Sequence, residues 1–293
     1  MIRLRASAKL NLYLRVLGKR PDGYHEIETL FERIDLADEL TFAPHPRECL
    51  LTCTDAALSC GEDNLVMRAA RLLQEAGGVR TGARVHLVKR IPIAAGLGGG
   101  SSDAAATLQG LNELWNLQLA ASRLTELAAH VGSDVPFFLG EAPFAVGRGR
   151  GERIDPVEPA ARLAHVLVVP AERLSTKEIY SGVGGFDLTA PKPSISMLLH
   201  ALCNGSLGEL AQGLWNDLEP EAIRRCPVIG TIQTRLRDLG CCGSRLSGSG
   251  PSVFGLCHDL RHAQAVASEL RTRPAPEAGQ GPWRIEIIQT DRP

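Results

Sequence analysis

Residues 92–104 read Pro-Ile-Ala-Ala-Gly-Leu-Gly-Gly-Gly-Ser-Ser-Asp-Ala, and this run restricts the fold more than any other stretch of the chain. Gly96, Gly98, Gly99 and Gly100 let the backbone turn so that several N–H groups converge on one point. Ser101 or Ser102 then opens an Ala-rich helix of about 102–115, whose unpaired N–H groups and dipole favour an anion. A phosphate is the natural occupant. The run is not a Walker A loop, because no Lys follows the glycines. Nor is it a dinucleotide fingerprint, because Ser101 stands where the third Gly belongs. The plainer alternative is a flexible loop with a Ser N-cap.

A chain of 293 residues has room for about two domains at ~150 residues each. Hydrophobic residues make up 44% and charged residues 22%, which fits a packed core and excludes wholesale disorder. The net charge of -1 gives no general electrostatic footprint for nucleic acid or an anionic membrane. Aromatic residues, at 4%, are too few for extended base-stacking platforms. No apolar run approaches the ~18 residues of a membrane span, and the opening MIRLRASAKL lacks the apolar core of a secretory signal. The Cys residues form no CxxC pair, so reduced thiols and a cytoplasmic location are expected.

Leu10, Leu12, Leu14 and Val16 alternate with Lys9, Asn11, Tyr13 and Arg15, the pattern of a half-buried strand. Pro21-Asp22-Gly23 reads as a tight turn. Strands are expected near 27–34, 39–43, 48–54, 83–88, 143–148, 163–169, 244–247, 251–257 and 283–290. His165-Val166-Leu167-Val168-Val169 is apolar enough for burial on both faces. Asp63 or Asn64 caps a helix of about 65–76, and Ser175 with Glu178 has capping-box spacing. Further helices are expected near 122–131, 194–203, 218–224, 227–239 and 259–271, with a surface loop at 272–282. The Pro- and Glu-containing stretch near 150–162 is the best boundary, giving expected units of 1–155 and 156–293.

Four other constellations bear on chemistry. Asp134, in Gly132-Ser133-Asp134-Val135-Pro136, either caps the next turn or takes a proton from an attacking hydroxyl beside a phosphate donor. Lys9 and Asn11 line either a solvated strand face or a site. Ser247-Gly248-Ser249-Gly250-Pro251-Ser252 is either a hairpin connection or part of a site. His258-Asp259-Leu260-Arg261-His262 imitates a zinc helix, but Asp replaces the general-base Glu and no third ligand is apparent.

Taken together, these fragments resemble the GHMP kinase superfamily of small-molecule kinases. Ala6 to Leu12, Pro92 to Ala106 and Gly243 to Gly255 match its three motifs in order and spacing. Arg20-Pro21-Asp22-Gly23-Tyr24-His25-Glu26, the triple-Gly loop and Gly132-Ser133-Asp134-Val135-Pro136-Phe137 resemble the branch that acts on a cytidine diphosphate sugar alcohol. The resemblance implies an α+β fold of two domains. The N-terminal one is like ribosomal protein S5 domain 2, the C-terminal one is ferredoxin-like, and the active site lies in the cleft between them.

It also implies ATP with Mg²⁺, and roles for residues. Asp134 would be the catalytic base and Lys9 its cationic neighbour. Pro92, Ile93, Ala94, Ala95, Gly96, Leu97, Gly98, Gly99, Gly100, Ser101 and Ser102 would form the ATP phosphate loop. Tyr24 would stack on cytosine and His25 would hydrogen-bond its edge. Asn11 would touch the substrate near the reacting hydroxyl, and Thr176 and Tyr180 would lie on the cytidine side, with Tyr180 where a Phe is familiar. No protein metal ligand is assigned, though Ser102, Asp103 and Glu141 are candidates. A monomer or weak homodimer without nucleic acid or membrane partners is expected.

Overall fold

The computed structural model describes residues 1–159, 162–183, 192–272 and 282–292. Two sheets are stacked between layers of helices. The first is seven-stranded. Its spine is β1 (Ile2–Lys19) paired antiparallel with β2 (His25–His45) along almost their whole length. The turn between them is the expected one: Arg20 N donates to Tyr24 O at 2.8 Å, and Gly23 has φ +86°, a region open to glycine. The expected strands at 27–34 and 39–43 are one continuous strand. The first half of β2 pairs with β5 (Phe144–Gly149) and its second half with β4 (Gly82–Val88). Strand β3 (Cys49–Cys53) lies parallel to β4, β6 (Arg153–Val157) pairs with β5, and the two-residue β8 (Trp215–Asn216) lies parallel to β1 at the edge.

Helices α1 (Leu65–Ala76), α2 (Gly99–Leu114), α3 (Ala121–Val131) and α4 (Val135–Leu139) cover one face of this sheet. Asn64 is the cap of α1, its side chain accepting from Val66 N at 2.9 Å. Leu40, Phe42, Val85 and Leu87 pack there against Val66, Leu73, Leu108 and Leu111.

The second sheet has the order β11-β7-β10-β9, all antiparallel, built from β7 (Ala164–Val169), β9 (Gly243–Leu246), β10 (Val253–Cys257) and β11 (Arg284–Gln289). This is the fourth-first-third-second order of a ferredoxin-like unit. Its segments between strands carry α5 (Thr176–Gly182), α6 (Ile195–Asn204), α7 (Leu207–Gly213), α8 (Glu219–Arg225), α9 (Val228–Asp238) and α10 (Leu260–Thr272). Strand β7 is buried on both faces as its sequence implies. Leu167 and Val169 meet Leu10, Leu12 and Leu30 of the first sheet, while Val166 and Val168 meet Ile229, Ile232 and Val266 of the outer helices.

Several expectations change. Strand β1 is not half-solvated: Leu10, Leu12 and Tyr13 pack toward the second sheet, while Lys9 and Asn11 on the other face are buried under the glycine loop, Thr29 and the Ser247 turn. Its alternation is interrupted by register shifts at Asn11/Tyr13 and Val16/Gly18, which re-aim side chains as bulges do. Helix α2 begins at Gly99, not at a Ser N-cap, so Ser101 and Ser102 fall inside its first turn. Strand β6 occupies the stretch expected to be a boundary. The loop expected at 272–282 lies mostly outside the described residues. His258 and His262 stack at 5.2 Å, and no group of three metal-ligating side chains stands together among the described residues.

The two sheets are joined by a buried polar contact. Glu32 on β2 lies 2.8 Å from His165 Nε2 on β7 and accepts from Thr290 Oγ1 at 2.7 Å, with both members of the pair fully buried. Removing one partner leaves a buried hydrogen-bonding group unsatisfied, typically at a cost of about 1–3 kcal/mol. Glu32→Ala is therefore expected to lower the denaturant midpoint strongly. A midpoint close to that of the unmodified protein would show that the pair contributes nothing to the junction.

Candidate active site

A cleft of about 1280 Å³ is lined by residues from both sheets and their loops. The glycine loop forms one wall. Gly96 and Gly98 have φ of +78° and +68°, which glycine adopts without a Cβ clash. A Cβ on Gly96 would come within 2.1 Å of the Ser247 carbonyl oxygen. The loop is that close because Ser247 Oγ donates to Gly96 O at 3.0 Å and Ser252 N donates to Ala95 O at 3.3 Å. The Ser247–Ser252 turn is therefore both a hairpin connection and a cleft wall, through Gly248 and Ser249. Residues Pro92 to Ser101 all line the cleft. Ser102 does not: it is buried on the inner side of the first turn of α2.

Lys9 enters from β1. Its backbone N–H donates to Leu97 O at 3.0 Å. Its ammonium donates to Asn11 Oδ1 and to Gly96 O, the latter at 2.9 Å, and lies 3.7 Å from Asp134 Oδ2. Burial pushes the Lys9 pKa down, opposed by the adjacent Asp134 carboxylate. Asp134 stands at the N-cap position of α4, but its side chain makes no capping bond. The carboxylate faces the cleft instead, which removes the reading of Asp134 as a mere cap. Asn11 uses Oδ1 for Lys9 and Nδ2 for Thr29 Oγ1 at 2.8 Å, so one amide N–H is left for a ligand.

A second buried cation underlies the loop. Lys89 bridges Asp38 and Asp103, reaching Asp103 Oδ2 at 2.9 Å. Asp38 also accepts from the backbone N–H of Arg90 and of Ile91, at 2.5 and 2.8 Å. Burial raises the Asp103 carboxyl pKa to about 7 despite Lys89, and its Oδ1 is buried without a hydrogen-bond partner among the described residues. Sequence reading missed Lys89 and Asp38. Their only signal was two of the chain's charged residues placed where packing left no water.

Another part of the cleft is aromatic. Tyr24 is about half exposed, with the Arg150 guanidinium carbon 4.9 Å from its ring centre. The rings of His25 and Tyr180 lie 5.2 Å apart. Burial and the nearby Asp134 raise the Tyr180 hydroxyl pKa. Thr176 Oγ1 is 2.8 Å from Ser249 Oγ. The cleft thus gathers Lys9, Asn11, Tyr24, His25, Asp134, Thr176 and Tyr180 into one volume. Glu141 is not among its lining residues.

A helix N-terminus preceded by glycines, with a carboxylate and an ammonium facing it, can hold a phosphate donor and deprotonate a hydroxyl beside it. Two family models match the chain: GHMP kinases N terminal domain at residues 64–141 and GHMP kinases C terminal at 198–275. The chain belongs to the GHMP kinases. A 4-diphosphocytidyl-2-C-methyl-D-erythritol kinase from Pelotomaculum thermopropionicum is 45% identical over 91% of this chain and 92% of its own length. A crystal structure of 4-(cytidine 5'-diphospho)-2C-methyl-D-erythritol kinase superposes with a TM-score of 0.79 at 37% identity, covering 98% of this chain and 99% of that one. A homoserine kinase from Cytophaga hutchinsonii, at 18% identity and TM-score 0.75 over 99% and 95% of the chains, shares the fold. Within the GHMP kinases, the chain is a member of the 4-diphosphocytidyl-2-C-methyl-D-erythritol kinase family.

The loop geometry separates its glycines. Gly96→Ala combines a left-handed backbone with a clash against the Ser247 carbonyl, a strain of order 1–3 kcal/mol or more. At Gly100 a Cβ would meet only Leu65 Cδ1, at 3.5 Å. Gly96→Ala is expected to lower the melting temperature and Gly100→Ala to leave it unchanged. Equal melting temperatures for the two variants would contradict the packing described.

Proposed function

We propose that the protein transfers the γ-phosphoryl group of ATP to the 2-hydroxyl of 4-diphosphocytidyl-2-C-methyl-D-erythritol, a step of the non-mevalonate route to isoprenoid precursors. One observation carries this reading: the Lys9–Asp134 pair opens onto the same cleft as the glycine loop and the aromatic group of Tyr24, His25 and Tyr180. A phosphate donor, a base and a site for a planar ring are what transfer to a cytidine-bearing alcohol needs.

In this mechanism the loop and the N-terminus of α2 hold the donor phosphates. Phosphoryl transfer depends on positioning and charge stabilisation more than on covalent chemistry. Asp134 accepts the hydroxyl proton as the oxygen attacks. Lys9 favours the ionised carboxylate and damps repulsion from the incoming phosphoryl group. Tyr24 stacks on cytosine, His25 and Tyr180 frame it, and Thr176 lies beside them. Mg²⁺ bound to the donor would neutralise phosphate charge, and the Ser101 hydroxyl and Asp103 carboxylate on the cleft lining are the protein oxygens that would help hold it. We further propose a monomer or weak homodimer working in the cytoplasm, with residues 1–155 carrying the ATP loop and 156–293 completing the cleft.

Two measurements test the assignment. A positioned base contributes about 10²–10⁴-fold, so Asp134→Asn should reduce kcat at least about a hundredfold with ATP affinity retained in calorimetry. Lys9→Arg should also lose much of the rate, because a planar fork replaces a compact charge. Near-normal kcat in Asp134→Asn would remove Asp134 from the mechanism. For the acceptor, base stacking is worth ~1–3 kcal/mol, so Tyr24→Ala should raise KM roughly 5- to 150-fold, while Tyr24→Phe changes it little. Equal turnover of an alcohol lacking cytosine would exclude the cytidine acceptor and leave the kinase chemistry standing.

A further inference from the structure

Five cations line the cleft, Lys9, Lys19, Lys89, Arg150 and Lys177, and they are not equally placed: Lys19 stands near His25 and Lys177 beside Thr176. The Lys9 ammonium is shared among Asn11, Gly96 and Asp134, and that of Lys89 between Asp38 and Asp103. Arg150 is different. It sits at the turn between β5 and β6, between Gly149 at φ +76° and Gly151 at φ +111°. Its guanidinium lies over the Tyr24 ring, and a Cβ at the adjoining Gly151 would stand 3.5 Å from Asp134 Oδ1. The turn therefore spans the interval between the aromatic ring and the carboxylate.

Its existing bonds leave capacity. Nη2 donates a long bond to Ala129 O at 3.4 Å, and Nε is 3.9 Å from Glu152 Oε2. That carboxylate is already engaged by the Arg150 backbone N–H at 2.6 Å. Nη1 has no hydrogen-bond partner among the described residues, and the side chain is about a quarter exposed to the cleft.

The proposed acceptor has a fixed covalent order: base, ribose, diphosphate, alcohol. With the base at Tyr24 and the hydroxyl at Asp134, the diphosphate has to cross the interval that Arg150 spans. A guanidinium presents paired donors matched to phosphate oxygens, and such charge-assisted bonds are among the strong ones. We propose that Arg150 binds the diphosphate of the acceptor and so makes that diphosphate, and not the base alone, a determinant of specificity. This rests on the function proposed above. Arg150 could not be recognised from the sequence, where it stands in an arginine- and glycine-rich turn with no motif of its own.

The test is calorimetry of the full chain with cytidine and with cytidine diphosphate, using the unmodified protein, Arg150→Gln and Arg150→Lys, with melting temperatures as a fold control. The unmodified protein is expected to bind cytidine diphosphate roughly ten- to a hundredfold tighter than cytidine. Arg150→Gln should remove most of that preference while changing cytidine affinity by no more than about twofold, and Arg150→Lys should restore part of it. Added salt should weaken the diphosphate and leave cytidine unaffected. If Arg150→Gln keeps the preference, Arg150 does not bind the diphosphate. If it weakens cytidine and cytidine diphosphate equally, Arg150 serves only the Tyr24 ring, and the proposal fails while the cytidine acceptor stands. An unmodified protein that binds neither compound overturns the acceptor reading itself.

Discussion

The ammonium of Lys9 is the group around which the site is organised. A cation out of water is tolerated only where oxygen acceptors replace its hydration shell. Lys9 finds them on three separate pieces of chain: Asn11 beside it on β1, Gly96 in the glycine loop and Asp134 ahead of α4. Satisfying one charge therefore fixes the loop against the strand and keeps a carboxylate within reach of both. The same Gly96 carbonyl takes a second bond from Ser247 and the adjoining Ala95 carbonyl one from Ser252, so the second sheet is tied into the arrangement through two neighbouring peptide oxygens.

Lys89 does complementary work a few residues before the loop. Its ammonium sits 2.9 Å from Asp103 in the first turn of α2 and also contacts Asp38 on β2. Two carboxylates around one cation keep the start of α2 attached to the first sheet. One lysine thus faces the reactants and the other supports the backbone that would hold them.

Much of this was legible in the sequence, and the failures have identifiable causes. Periodicity located most strands and helices because their apolar faces are regular. It missed α4, α7 and β6, which are short and whose pattern is set by neighbours more than by their own residues. The polar face of β1 reads either as a solvated face or as a site, because a single strand cannot reveal that the glycine loop and the Ser247 turn will cover it. The resemblance implies Ser102 in the phosphate loop, yet helix α2 starts three residues before the Ser102 opening read from the sequence and turns that side chain inward. Lys89 and Arg150 carried no recognisable spacing; only the fold brings them to the cleft.

The junction between the sheets is closed late in the sequence. Arg5 and Ser7 on β1 both bond to Asp291, at separations of 286 and 284 positions, and Thr290 reaches Glu32. Contacts this distant slow folding, since the loop they close must be ordered before they form. At about 5–20 residues per second of synthesis, the edge of β1 waits roughly 15–60 s for its partner to be made. During that interval the first sheet has to persist on its own helix-covered core while its other face lacks the strand that will seal it.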